Sequence, residues 1–112
     1  MDSILTSIKK LLGIEESYTH FDSDITMHIN SVFMILNQLG VGPPEGFAIT
    51  GSFETWSEFI PNDSINLELV KSYTYLKVKL LFDPPLSSAV MESTNRMINE
   101  FEWRLNVAAE TK

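Results

Sequence analysis

The stretch His20-Phe21-Asp22-Ser23-Asp24-Ile25-Thr26-Met27-His28 gathers two imidazoles and two carboxylates within nine residues. Asp24 and His28 are one helical turn apart, a spacing at which imidazole and carboxylate can share a metal ion. No third ligand follows at matching spacing, and both acids have another use, Asp22 as the N-cap and Asp24 in the first turn of a helix. No metal is expected. The glycines of Gly40-Val41-Gly42-Pro43-Pro44-Glu45-Gly46 do not follow G-x-G-x-x-G, and the two prolines remove N–H donors that a phosphate-binding loop needs. No serine sits in a nucleophile elbow, and the two histidines lie at or near one helix start. The sequence therefore predicts no catalytic residue and no cofactor.

The remaining candidates are surfaces. Lys71, Lys77 and Lys79 form a basic cluster, either a solvated face or a contact for an acidic partner. Trp103 lies off the apolar stripe of its helix, beside Arg96, Asn99 and Val107. It either packs beneath the first helix or the long loop, or anchors a protein interface, where Trp and Arg are enriched.

Four helices must position these groups. In the first, Ile4, Leu5, Ile8, Leu11 and Leu12 repeat at helical spacing, with Asp2 or Ser3 as cap, Lys9 and Lys10 near the C-terminal end, and Gly13 as a left-handed stop. The second runs from Asp22 with a stripe of Ile25, Ile29, Val32, Phe33, Leu36 and Leu39, closed by Gly40. Met27, Met34 and Ile35 fall outside that stripe, so this helix is either central or meets another chain on its second face. The third opens at Asp63 or Ser64, carries Leu69, Tyr73, Leu76 and Leu80, and ends at Phe82 because Asp83 precedes a proline. The fourth is capped by Ser87 or Ser88 and carries Val90, Met91, Met97, Ile98, Phe101 and Leu105. Its Glu92–Arg96 and Glu100–Arg104 pairs mark the exposed face.

The break at Asp83-Pro84-Pro85 makes the last two helices an antiparallel hairpin. Between Val41 and Asp63, three glycines and three prolines in 23 residues replace the helical pattern with a long loop. Phe47, Ile49 and Phe53 suit a short strand or hairpin arm, and Glu54 to Ile60 a single helical turn. The loop is either a folded excursion over the core or a protruding, partner-binding segment. Residues 107–112 read as a fraying tail.

These elements give a single all-α domain over residues 1–112, a small bundle of about four helices with a partly structured loop at 41–63. Its 112 residues, 44% hydrophobic and 21% charged, fit one globular core. Eight Lys and Arg against fifteen Asp and Glu give a net charge of −7, which disfavours ordinary nucleic-acid binding. The lack of cysteine removes disulfides and thiolate sites. The N-terminal stretch does not read as a signal peptide. The longest apolar-leaning stretches, Val32 to Leu36 and Leu80 to Phe82, are far short of the roughly 20 residues of a membrane span.

Three stretches, "INSVFMILNQLGVG", "VKSYTYLKVKLLFDPPLSSAVMES" and "EFEWRLN", together resemble the small head-tail connector (adaptor) proteins of long-tailed bacteriophages and prophages of Gram-positive hosts. The resemblance runs from about Ile4 to Asn106, and Phe82-Asp83-Pro84-Pro85 followed by Ser87-Ser88-Ala89-Val90 is its most specific part. It implies a mostly helical virion subunit, acting without cofactors, at the head-tail junction and assembled in the host cytoplasm. Such a subunit forms a homo-oligomeric ring, a dodecamer on the portal protein. The ring extends the DNA channel, lets DNA pass without sequence-specific binding, and offers a platform to a head-completion (stopper) or tail-terminator protein. The competing readings are another neck component, or a soluble acidic helical regulator. Acids spread through every segment, instead of one concentrated acidic face, count against the regulator. The residues themselves suggest where contacts fall: Phe47, Phe53, Trp56 and Phe59 on the long loop, and Trp103 with Arg104 near the end of the last helix.

Overall fold

A computed structural model describes residues 3–60 and 67–110. Its elements are α1 (Ile4–Leu12), α2 (Asp22–Gln38), α3 (Trp56–Phe59), α4 (Leu67–Phe82) and α5 (Ser88–Glu110). The architecture is all-α, and the only β pairing among the described residues is an isolated Ser3–Thr55 bridge. The molecule measures 39 × 36 × 20 Å, so it is a flat body two helix diameters thick.

Ser3 caps α1, its Oγ accepting from the Thr6 N–H at 3.0 Å, and Gly13 ends the helix with φ 82°. Ile4, Leu5 and Ile8 of the expected stripe are buried, whereas Leu11 is 53% exposed. Lys9 is 2% exposed. Its Nζ donates to the carbonyls of Glu16 at 3.0 Å and Tyr18 at 2.8 Å, and pairs with Asp22 Oδ1 at 2.8 Å. A buried ammonium is costly unless its donors are matched, and here three oxygens tie the α1–α2 connection down around it. The expected N-cap role of Asp22 is therefore corrected. Phe21 takes the cap position without a side-chain bond, and the Asp22 carboxylate is turned to Lys9.

Helices α2 and α4 make the most extensive helix–helix contact. Ile25, Ile29, Val32, Phe33 and Leu36 meet Val70, Tyr73, Thr74 and Val78 in one core. This corrects the expected stripe of α4. Leu69, Leu76 and Leu80 flank the core half-buried, while Val70, Thr74 and Val78 are the buried positions beside Tyr73. Thr74 fits there because its hydroxyl donates to the Val70 carbonyl at 2.8 Å. The expected opening of α4 at Asp63 or Ser64 lies outside the described residues.

The long loop folds inward. No strand forms around Phe47, Ile49 and Phe53. Instead Asn30 brackets Ile49, with Nδ2 donating to the Ile49 carbonyl at 2.9 Å and Oδ1 accepting from its N–H at 2.8 Å. The expected helical turn appears as α3, where Glu58 reaches back to accept from the Thr55 N–H at 2.8 Å. Phe59 stacks on Phe33 at 4.4 Å, with Phe47 at 5.1 Å from Phe59 and Trp56 at 6.2 Å from Phe33. The indole N–H of Trp56 donates to Ser7 Oγ at 2.7 Å and joins this cluster to α1.

The hairpin forms as expected, α4 ending at Phe82 and α5 starting at Ser88, with Ser87 accepting from the Met91 N–H through its carbonyl at 3.0 Å. Tyr73, fully buried, donates its hydroxyl to Glu102 Oε2 at 2.7 Å across the α4–α5 seam. Where a fraying tail is expected after Leu105, α5 continues to Glu110, and Ala109 packs beside Gly40. Of the expected α5 stripe, Ile98 and Leu105 are buried, while Val90 is 52% and Met97 49% exposed.

Two substitutions test this packing. At Gly42, φ is 87° and an added Cβ would lie 2.5 Å from Phe59 Cε1, so Gly42→Ala meets both backbone strain and a clash. It should lower unfolding free energy in urea by about 2–4 kcal/mol. At Tyr73, burial first, and then the Glu102 hydrogen bond and charge, push the phenol above its ordinary value of 10.0. A raised folded value means full stability below pH 10 that is lost as pH rises past it. Tyr73→Phe should lose about 1 kcal/mol at pH 7 and flatten that alkaline decline in thermal melts.

Candidate assembly surface

Several groups of large apolar side chains remain uncovered once the core is made. The first is Phe53, 82% exposed at the end of the Thr50–Glu54 turn. The turn is braced from within. Glu54 Oε2 accepts from the Thr50 N–H at 3.0 Å and from Thr50 Oγ1 at 2.8 Å. Its base is anchored by the Asn30 bracket and by the Ile4 N–H, which donates to the Glu54 carbonyl at 2.9 Å. An exposed aromatic on a braced loop loses little conformational freedom on binding, which favours a contact over a merely stranded side chain.

The second group is the hairpin tip. Leu86 is completely exposed and Leu81 is 51% exposed on either side of Asp83-Pro84-Pro85. Pro85 fixes the chain before Leu86, and Lys79 holds Asp83 at 3.2 Å, so the tip is a short stiff corner. The third is the outer side of α5. Trp103 is 66% exposed, with Val107 one turn further on. Glu100 ties Arg104 at 2.8 Å and Glu92 ties Arg96 at 3.3 Å along the same helix. Trp103 thus packs beneath neither α1 nor the loop. Met27 at 58% and Met34 at 67% add the open side of α2.

The expected contact residues separate into two sets. Trp56 and Phe59 are buried at 4% and 2%, and Phe47 is half-buried against Phe33 and Phe59, so these three serve the chain's own core. Phe53, Trp103 and Arg104 are on the surface, on two different elements. Leu11, Leu81 and Leu86 escaped the sequence reading as surface groups. For Leu86 a signal existed, because a leucine directly after Pro-Pro cannot belong to either flanking helical stripe.

Asp22 is taken by Lys9, and His20 packs edge-on to Phe21 at 4.7 Å. Among the described residues no three His, Cys, Asp or Glu side chains converge to hold an ion. Of the basic cluster, Lys71 lies 5.9 Å from the centre of the Trp56 ring and 3.6 Å from Glu68, and Lys79 binds Asp83. No helix among the described residues is long and apolar enough to cross a membrane.

The Glu54 brace is pH-sensitive. Partial burial works to raise its carboxyl, but the Thr50 N–H and hydroxyl, with the backbone N–H groups of Glu54 and Gly51, outweigh it and hold the carboxyl below its ordinary 4.5. A depressed folded value stabilises the turn above pH 4.5 and ceases to do so as pH falls through the folded value. Protection of the amides at residues 50–54, measured against an unstructured peptide at the same pH, should therefore fall on acidification. In Glu54→Gln that protection should already be low at pH 7, and the gap between the two proteins should close in acid.

No curated protein and no solved structure matches the chain. A family model does, that of phage connector protein, over residues 4–112. That span takes in the braced Phe53 turn, the Pro-Pro hairpin and the outer side of α5, and on it the chain belongs to the phage connector protein family, with a structural connector role in the phage particle.

Proposed function

We propose that the chain is a head-tail connector subunit that forms a ring beneath the portal, extends the DNA channel, and joins the capsid to the neck or tail. The observation that carries this reading is the placement of surplus apolar groups. Phe53, Leu86 and Trp103 stand on three separate elements, while the core beneath them is already closed. Single exposed apolar groups are ordinary on a monomer, but here they stand on a braced turn, a stiff proline corner and a helix face, which suits a ring subunit that touches two copies of itself and a protein above and below. On this reading Trp103 and Arg104, together with Phe53, carry the subunit and portal contacts. Phe47, Trp56 and Phe59 act indirectly, by holding the Phe53 turn in place.

The ring on the portal is a dodecamer, assembled in the host cytoplasm, and a head-completion or tail-terminator protein docks on its far side. The acidic balance of −7 suits a channel past which DNA slides without being held. No base is read and no cofactor is needed.

Electron microscopy of the purified chain with and without its portal tests this. Rings stacked coaxially on the portal are expected, and a persistent monomer that ignores the portal would overturn the reading. Trp103→Ala should leave the thermal melt within about 0.5 kcal/mol of wild type, because the ring is largely in water, yet weaken ring or portal binding about tenfold or more. Unchanged assembly would remove Trp103 from the contact set.

A further inference from the structure

Between α1 and α4 lies an open groove of about 340 Å³. Leu11, Trp56 and Tyr75 supply its apolar lining, and Lys10 and Lys71, with Glu68, its charged rim. On the other side of α1, Phe53 stands at the edge of a shallow hollow that includes Leu5 and Asp22. Around a helix of 3.6 residues per turn, Leu5 is about 160° from Ser7 and about 120° from Leu11. Ser7 and Leu11 both line the groove, so the groove and the aromatic knob face away from each other across α1.

The two surfaces are opposite in kind, a projecting ring and an apolar slot, and opposite in charge balance. The knob is one phenyl ring on a braced turn, and the groove has apolar walls at the size of a small side-chain pocket. Asp24, Glu54 and Glu58 lie on the segments that carry and flank the knob, with Asp22 already paired to Lys9, and among the described residues no basic side chain lines its hollow. The groove's rim holds Lys10 and Lys71 against one acid, Glu68, which pairs Lys71 at 3.6 Å, so its balance is positive in a molecule with only eight basic residues. Lysines set beside an apolar slot favour an occupant that brings an aromatic group flanked by carboxylates.

We infer that the groove between α1 and α4 receives Phe53 of a second copy of this chain. The contact is heterologous, with different patches on opposite sides of each subunit, so it repeats from copy to copy and closes into a ring where the rotation allows. This rests on the ring reading above and supplies its subunit-to-subunit joint, leaving Leu86 and Trp103 for the proteins above and below.

A complementation experiment tests the joint. Phe53→Asp removes the knob and Leu11→Asp spoils the groove; both side chains are largely exposed, and circular dichroism melts should match wild type. Each variant alone should stay monomeric on light scattering after size exclusion, and on the portal, which Leu86 and Trp103 can still contact, its copies should bind without closing a ring. Their equimolar mixture should give 1:1 dimers and nothing larger, because each pair retains one intact knob and one intact groove. The milder Phe53→Ala should weaken wild-type assembly about thirtyfold. Rings that form from either Asp variant, or a mixture no larger than its components, would overturn the joint while leaving the ring reading standing. A wild-type chain that remains monomeric even with portal would overturn both.

Discussion

The structure depends on one close approach. Phe59 lies nearly flat on Phe33 at 4.4 Å, and the chain passes its Cδ1–Cε1–Cζ edge at Gly42 with room for a hydrogen and nothing more. Stacked rings of this kind add roughly 0.5–1.5 kcal/mol to the apolar area they bury. The larger effect is topological. Phe59 sits near the end of the long loop and Gly42 near its start, so this contact closes the segment on itself and against α2. Trp56 extends the closure to α1 through Ser7. Without it, Ile49, Phe59 and Ile60 would leave the core, and α1 would lose the wall that its Ile4 and Ile8 pack against.

That closure explains why the loop presents an aromatic while hiding others. Four aromatic residues between 47 and 59 would be an aggregation hazard if all were exposed. Three turn inward because the chain needs them to seal α2, and the fourth, Phe53, stands on the Gly51-Ser52 corner where no core surface is left to reach. Its exposure follows from a rigid base, with Asn30 below and Glu54 across the turn. Order in the loop and stickiness at its end therefore have one cause.

The parts legible in sequence were those ruled by local physics. Gly13, the Phe82–Asp83 stop, the Ser87 start and the turn around Trp56 each follow from backbone or capping preferences within a few residues. The parts that escaped depend on tertiary partners. Lys9 looks like a charge complementing a helix end, and only the fold brings Asp22 and two carbonyls around its ammonium. Leucines 69, 76 and 80 are bulkier than Val70, Thr74 and Val78, yet it is the smaller, β-branched side chains that are fully buried beside Tyr73. Spacing marks the four aromatic loop residues as one contact set, but their division into core and surface turns on contacts with Phe33 that spacing does not encode.

Helix α5 is the element in which the fold stops short of satisfying its own sequence. It runs 23 residues and packs chiefly on α4, held by Tyr73–Glu102 and by Ile98 and Leu105. A helix attached along one side keeps the other sides of its apolar girth open, and Val90, Met97 and Trp103 fill them. Intrahelical pairs such as Glu100–Arg104 keep it soluble and straight without covering those groups. A domain of this size could have curled the hairpin inward to bury more area. The Pro-Pro corner forbids it by fixing where α5 begins and the direction in which it leaves α4. The same two prolines that end one helix so abruptly thus hold a long, partly apolar helix against one neighbour only, which is the geometry a subunit needs when its remaining neighbours are other chains.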